Sequence, residues 1–259
     1  MMSMSNTRLD NKTALVNGAS GGIGAAVATR LAAEGAAVVL GYHRNAGAAE
    51  RLAAELAAEG ARTATVRADA SDPEQCAFLV DRAASLFGPL DILVSCAGIE
   101  HFDTIDALGS EAFDRIFAIN TRGQLLLAKH TVAHMRAGGR VILTSSISAQ
   151  RAVFGHTLYA ASKAAVEAMV LNLSVELGRR GITINAVAPG GTATRMAEEN
   201  AVHYRHPNLD LPLDQWLKIH GALGRLADPR EIAGTYAFLA SADAGYLTGR
   251  TIQVDGGHF

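Results

Sequence analysis

Tyr159 and Lys163 stand four residues apart in Tyr159-Ala160-Ala161-Ser162-Lys163. In a helix, positions i and i+4 share one face, so the phenol and the ammonium project side by side. An isolated tyrosine titrates at about 10, too high for a base at neutral pH. A neighbouring ammonium favours the phenolate and lowers that value, which makes proton exchange with a substrate oxygen feasible near neutrality. Thirteen residues earlier comes Ser146, in Leu143-Thr144-Ser145-Ser146-Ile147. Its hydroxyl could donate to a carbonyl oxygen and hold it against the tyrosine. Asn120 falls inside a long helical stretch, where asparagine is a poor helix former, and reads as a packing or water-holding group. Plainer readings exist for each: Ser146 as a helix cap, Asn120 as a solvated polar group, Lys163 as surface.

A second cluster lies near the start, Asn17-Gly18-Ala19-Ser20-Gly21-Gly22-Ile23-Gly24. Glycines let a chain turn tightly and approach a pyrophosphate, and a following helix offers bare N–H groups and the positive end of its dipole. The motif gains weight from its place at the first strand-to-helix turn. At the end of the next strand an acid would hold a ribose hydroxyl and repel a 2′-phosphate. Here the residues are Leu40-Gly41-Tyr42-His43-Arg44-Asn45, with no acid. The planar fork of Arg44 can pair with a phosphate. The expected cofactor is therefore NADPH/NADP, with NAD possible.

These groups need a scaffold. Candidate strands are Thr13–Asn17, Ala37–Tyr42, Thr63–Ala68, Ile92–Ser95, Arg140–Ser145, Thr183–Ala188 and Thr251–Val254. Ile23–Glu34, Ala46–Glu59, Pro73–Phe87, Ser110–Met135, Leu158–Arg179 and Pro229–Ser241 read as helices between them. Continuous apolar strands alternating with helices predict an α/β, doubly wound (Rossmann) parallel sheet of about seven strands, covered on both faces. The chain reads as one domain over 1–259, with a lid insertion at about 192–226 that carries the single tryptophan, Trp216. The sequence is 49% hydrophobic and 19% charged, with net charge −2, which suits a large core and gives no footprint for nucleic acid. No run of 18 apolar residues and no leader-like apolar segment is found, so no membrane association is expected. Cys76 and Cys96 read as buried free thiols of a cytoplasmic enzyme. His203 and His206 lack a third ligand at useful spacing, so no metal is expected. His156 lines the site mouth or is solvated.

The ordered set of landmarks resembles the short-chain dehydrogenase/reductase family over essentially the whole chain. It comprises the Gly18/Gly22/Gly24 turn, Asp69, Ser95-Cys96-Ala97-Gly98, Asn120, Ser146, Tyr159-x-x-x-Lys163, Asn185 to Gly190, Thr194 and Val254-Asp255-Gly256-Gly257. The resemblance implies that Tyr159 is the acid/base, Ser146 orients the carbonyl, Lys163 binds the nicotinamide ribose and Asn120 holds a relay water. It puts Asp69 at the adenine, and Pro189 and Thr194 at the nicotinamide end. Ser20, Gly21, Ile23, Ala70, Ala97, Gly98, Gly190 and Thr192 complete the implied cofactor contacts. A homotetramer is implied too, with the two long helices packed between subunits.

Within the family, Phe113 to Gln124 and Ala188 to Met196 are similar to fungal polyhydroxynaphthalene reductases, as is the spacing from Met196 to Tyr204. By that likeness the substrate is a cyclic or polyketide-like ketone, met by Ser146, Tyr159, Gly191, Tyr204 and Trp216, and Tyr42 lies near the 2′-phosphate. Asn17 and Ser95 depart from the family's usual residues without removing a group from hydride transfer, and Gly21 stands where many NADP users carry a base. Other readings are a 3-oxoacyl-carrier-protein reductase, an NAD-linked polyol or sugar dehydrogenase, and a nucleotide-binding sensor or scaffold without turnover.

Overall fold

The computed structural model describes residues 8–204 and 211–258, without the side chains of 213, 214 and 216. Seven strands form one parallel sheet: β1 (Thr13–Asn17), β2 (Ala37–Tyr42), β3 (Thr63–Arg67), β4 (Ile92–Ser95), β5 (Arg140–Thr144), β6 (Thr183–Pro189) and β7 (Thr251–Val254). Their order is β3-β2-β1-β4-β5-β6-β7, so the chain reverses its winding between β1 and β4. A crevice opens beyond the carboxyl ends of strands at such a switch point.

The strands read as apolar runs because both faces are covered. In β1, Ala14 and Val16 face one core layer and Leu15 the other; in β4, Ile92 and Val94 oppose Leu93 in the same way. The first layer packs under α1 (Gly22–Ala33), the exposed α2 (Ala46–Ala58) and α9 (Pro229–Ala240). The second packs under α3 (Pro73–Phe87), α5 (Gln124–Ala133) and α6 (Thr157–Gly178). Starts are set by local chemistry: Asp72 caps α3 ahead of Pro73, and Asp228 with Glu231 forms a capping box at α9 ahead of Pro229.

The structure corrects one expected element. Ser110–Met135 is not one helix: α4 (Ser110–Phe117) and α5 are joined by a π-helical segment, Ala118–Gly123, and α5 ends at Ala133. A widened turn of this kind frees a backbone carbonyl from the ladder, and such turns recur at functional sites. The excursion after β6 also has structure of its own, with α7 (Arg195–Asn200), a 3₁₀ turn over Ala201–Tyr204 and α8 (Leu213–His220). Its neck is pinned where Thr192 bridges Ala227 in parallel. No helix among the described residues is long and apolar enough to cross a membrane.

Candidate active site

Tyr159 sits in the first turn of α6 and Lys163 one turn later, both buried. The Lys163 ammonium lies 5.5 Å from the centre of the Tyr159 ring. Its Nζ donates to the Thr144 carbonyl at 3.0 Å, at the end of β5. Beside it, Ser145 Oγ lies 3.2 Å from Lys163 O and 2.9 Å from Glu167 Oε1, clasping α6 to the strand. Ser146 is next along the chain, in extended backbone; its oxygen accepts from Ser148 N at 3.2 Å, and its side chain lies near enough to the Tyr159 phenol to favour the ionised form. Ser146 is thus both a cap of the short 3₁₀ turn Ile147–Ala149 and a partner of Tyr159. Lys163 is not a surface residue.

The expected electrostatics need correction. Burial pushes the Tyr159 phenol well above its ordinary value, and the nearby Glu100 carboxyl adds to this; the Ser146 side chain offsets part of it. Burial also pulls Lys163 down from 10.5 to about 8, against the raising influence of Cys96 and Glu100. Desolvation disfavours the charged form of each group, and here it outweighs the ammonium's pull on the phenol.

Asn120 belongs to the π-helical segment and is fully buried, not solvated. Its Oδ1 accepts from Ile99 N at 2.9 Å, and its Nδ2 donates to Ile99 O at 2.9 Å and Ser162 Oγ at 3.1 Å. Both amide protons are therefore spent on protein. The Asn120 carbonyl accepts from Gln124 Nε2 at 2.7 Å, and Thr121 Oγ1 donates to Ser162 O at 3.0 Å. The widened turn locks the loop after β4 to the first turn of α6. Gly98 leaves no spare room in this corner: a Cβ there would stand 3.3 Å from Asn120 Oδ1 and 3.4 Å from Lys163 Nζ.

A cleft of about 1490 Å³ runs along the strand ends, lined by Gly18, Ser20, Gly21, Gly22, Ile23, Gly24, His43, Arg44, Asp69, Ala70, Ala97, Gly98 and Thr194 among others; Asn120 and Lys163 lie behind Gly98, and neither they nor Ser146 and Tyr159 are part of its wall. A dinucleotide fits its turn. Gly18 has φ +81 and a Cβ there would stand 2.6 Å from Ala97 N, while a Cβ on Gly24 would meet Gly18 O at 2.2 Å. These glycines hold the turn closed. Gly21, by contrast, faces nothing within 4 Å, and no side chain caps α1, so the helix N-terminus is bare towards the cleft. At the far end His43 Nε2 lies 3.4 Å from Asp69 Oδ2. Burial works to raise the Asp69 carboxyl, but the Ser71 N–H and hydroxyl, His43 and Arg44 together hold it below the usual range. Arg44 is exposed and lines the cleft. Tyr42, whose residue pairs with Arg67 across β2 and β3, is half-buried and does not line it.

The β6 end is held by packing. A Cβ on Gly190 would stand 2.7 Å from Asp255 Cα, and one on Gly191 2.8 Å from Leu226. Thr192 Oγ1 donates to Gly190 O at 2.9 Å just past Pro189, and Thr194 Oγ1 caps α7 by accepting from Ala197 N at 3.3 Å. The Thr194 methyl lies 3.3 Å from a Cβ built on Gly22, so the lid's root faces the glycine turn. The side chain of Trp216 and the whole of His206 lie outside the described residues.

A family model described as enoyl-(acyl carrier protein) reductase matches residues 18–258. The chain is 40% identical to a hydroxynaphthalene reductase-like protein of Metarhizium guizhouense, covering 96% of this chain and 95% of that one. It is also 40% identical to a versicolorin reductase of Emericella nidulans, covering 100% of both. A short-chain dehydrogenase from Burkholderia cenocepacia, solved in complex with NADP, superposes with a TM-score of 0.88 at 36% identity, covering 96% of this chain and 98% of that one.

The chain belongs to the short-chain dehydrogenase/reductase family. It is an oxidoreductase with the seven-stranded Rossmann sheet of that family.

This short-chain dehydrogenase/reductase carries residues at its site that spacing did not single out. Glu100, two residues past Gly98, lines the cleft, and the Tyr204 hydroxyl donates to its Oε1. Burial raises the Glu100 carboxyl, opposed by the Tyr204 bond and Lys163. His156 is not solvated: its ring is stacked between Phe102 (4.3 Å, 6°) and Tyr159 (4.4 Å, 11°), and burial lowers it to about 4. His203 stacks on the other face of the column, 4.8 Å from Phe102, and the Tyr204 ring meets Phe102 edge-on at 5.2 Å. A signal for Glu100 existed in the sequence: it is an acid just past the carboxyl end of a switch-point strand. His156 and Phe102 gave none, because only the fold brings them together.

Proposed function

We propose that this enzyme reduces a cyclic, aromatic-fused ketone with NADPH, and that Ser146, Tyr159 and Lys163 carry the proton side of the reaction. The supporting observation is the placement of Tyr159: a buried phenol next to Ser146, with the Lys163 ammonium 5.5 Å from the centre of its ring. A ketone being reduced needs an acid, and burial keeps this one charged with its proton. NADPH, when bound, supplies the hydride.

Tyr159 gives its proton to the substrate oxygen. The Ser146 oxygen already accepts from Ser148 N, so its hydroxyl proton is free to donate to that same oxygen and hold it against the phenol. Lys163 favours the phenolate left behind. Asn120 acts through position, fixing the Ile99 backbone and the first turn of α6. The bare N-terminus of α1, with Gly18, Ser20, Gly21, Gly22, Ile23 and Gly24, receives the pyrophosphate; Asp69, Ala70, Ala97 and Gly98 flank the adenine and ribose side. Pro189, Gly190, Thr192 and Thr194 border the nicotinamide, and Arg44 with His43 takes the 2′-phosphate. Tyr42 supports that end from behind. Two curated relatives are named for reductases of fused-ring polyketides, and the aromatic cluster of Phe102, His156 and Tyr204 beside Tyr159 supplies an apolar setting suited to such substrates. Gly191 and Tyr204, with the described parts of the lid at about 192–226, border the substrate within a single domain.

The chain is further read as a cytoplasmic homotetramer. Its two cysteines are free, and burial pushes Cys76 and Cys96 each up to about 11, as suits inert thiols in a reducing compartment. Phe113, Leu171 and Val175 leave apolar surface on α4 and α6 for subunit packing. Light scattering should give four times the 27.0 kDa chain mass, and the monomer mass would overturn the assembly.

The activity is tested by following NADPH consumption with cyclic aryl ketones, simple sugars, and an acetoacetyl thioester that stands in for a carrier-bound substrate. Turnover of the ring ketones well above the thioester is expected. Tight NADPH binding with no turnover of any compound would make the protein a nucleotide sensor instead.

A further inference from the structure

The substrate end of the cleft holds more hydrogen-bonding capacity than proton transfer uses. The Tyr204 hydroxyl occupies Oε1 of Glu100, while Oε2 is shut from solvent and has no partner among the described residues. His156 is only 1% exposed, and neither of its ring nitrogens has a hydrogen-bond partner there. His101 Nε2 is another such atom, 3.4 Å from Asp103 Oδ2 but without a hydrogen bond. Buried polar atoms are nearly always paired, since an unpaired one loses its water and gains nothing. Their concentration beside Tyr159 points to a ligand that completes them.

Resting on the reductase reading, we infer that Glu100 is a specificity-determining residue that binds a neutral hydroxyl group of the substrate through its free oxygen, Oε2. Three features argue for that chemistry. The oxygen belongs to a side chain that lines the cleft, and the Tyr204 bond fixes the carboxyl so that Oε2 is the oxygen left to bind. The Lys163 ammonium acts on Glu100 across the same corner, which disfavours a cationic group on the substrate, and the carboxyl itself disfavours an anionic one. A hydroxyl both donates and accepts, so it pairs with the carboxyl in either protonation state. No hydrogen bond joins Glu100 to Tyr159, Ser146 or Lys163 among the described residues; because its charge also raises the Tyr159 phenol, selection is read from the ratio between ketones and not from the absolute rate.

The test is kcat/KM with NADPH for α-tetralone, its ring-hydroxylated forms and the matching methoxy forms, in wild type, Glu100→Gln and Glu100→Leu. At least one hydroxylated ketone should exceed both counterparts by about tenfold or more in the wild type, because a site built to bond a hydroxyl rejects analogues that lack it. Glu100→Gln, which keeps a donor and an acceptor, should retain the preference. Glu100→Leu should bring the ratio near one, whatever its absolute rate; Glu100→Met replaces it if it does not fold. A merely structural role would depress all three ketones alike and leave the ratio standing, and that result overturns the inference. Equal values for the three ketones in wild type overturn it too, while the reductase reading stands. Absence of any ketone turnover with NADPH bound overturns both.

Discussion

Lys163 Nζ is anchored on the Thr144 carbonyl at 3.0 Å, so the ammonium beside Tyr159 is held by a neutral acceptor and not by a carboxylate. A buried cation with no carboxylate in direct contact loses its proton easily, and burial brings Lys163 from 10.5 to about 8 against the weaker opposing pull of Cys96 and Glu100. Between those two values the unfolded chain holds a proton that the folded chain has released, so this group makes stability rise with pH across the window. The ceiling is about 3 kcal/mol. Lys163→Met lacks this limb. Urea denaturation of the apo protein from pH 8 to 10.5 should therefore show wild type gaining on the variant by up to that amount; a constant gap would mean the ammonium is not desolvated.

Tyr159→Phe removes the hydroxyl that supplies the proton and leaves the ring in its stack with His156 at 4.4 Å. Turnover should fall by about a hundredfold to ten-thousandfold. NADPH affinity, read by fluorescence titration, should change little because no hydrogen bond of the glycine turn involves this hydroxyl. Near-normal turnover would remove Tyr159 from the chemistry.

The 2′-phosphate end offers a pair of opposite changes. Arg44 is exposed at the cleft beside His43 and Asp69, so Arg44→Ala should weaken NADPH by about tenfold or more and NADH much less. Gly21 is extended, with φ 172, and a Cβ there meets nothing within 4 Å. Gly21→Arg is thus sterically free to add a second guanidinium, and should tighten NADPH relative to NADH by a similar factor. Equal effects on the two cofactors in Arg44→Ala would withdraw the phosphate contact.

Much of this molecule can be read from its residues. The strands announce themselves because a doubly covered sheet needs uninterrupted apolar runs, and β1, β2, β4 and β7 begin and end where the pattern does. The glycine turn is legible because two of its glycines are sterically compelled, by Ala97 N against Gly18 and by Gly18 O against Gly24. Three things escape. The π-helical turn at Ala118–Gly123 carries poor helix formers, Asn120 among them, but these do not tell a widened turn from a break, and only the Asn120 bonds to Ile99, 21 residues away, show what the turn holds. The protonation of Tyr159 depends on burial depth, which spacing to Lys163 does not encode. The Phe102–His156–Tyr159 column joins a strand-end loop to a helix start, a contact that exists only in three dimensions.

Asn120 gives the test that separates packing from solvation. Its amide bonds both backbone groups of Ile99, each at 2.9 Å, in a corner where Gly98 leaves no space for a substitute. Asn120→Leu keeps the branching and the number of side-chain heavy atoms but leaves the Ile99 N–H and C=O without their side-chain partner. Each buried group stripped of its bond costs about 1–3 kcal/mol, so the loss should be roughly 2–6 kcal/mol. For a chain of this size that is a fall of several degrees or more in Tm. Turnover should drop as well, because Ile99 leads directly into Glu100 and Ser162 carries the first turn of α6, and both would lose their register against Tyr159. Loss of activity at unchanged Tm would instead assign Asn120 a direct part in the proton relay.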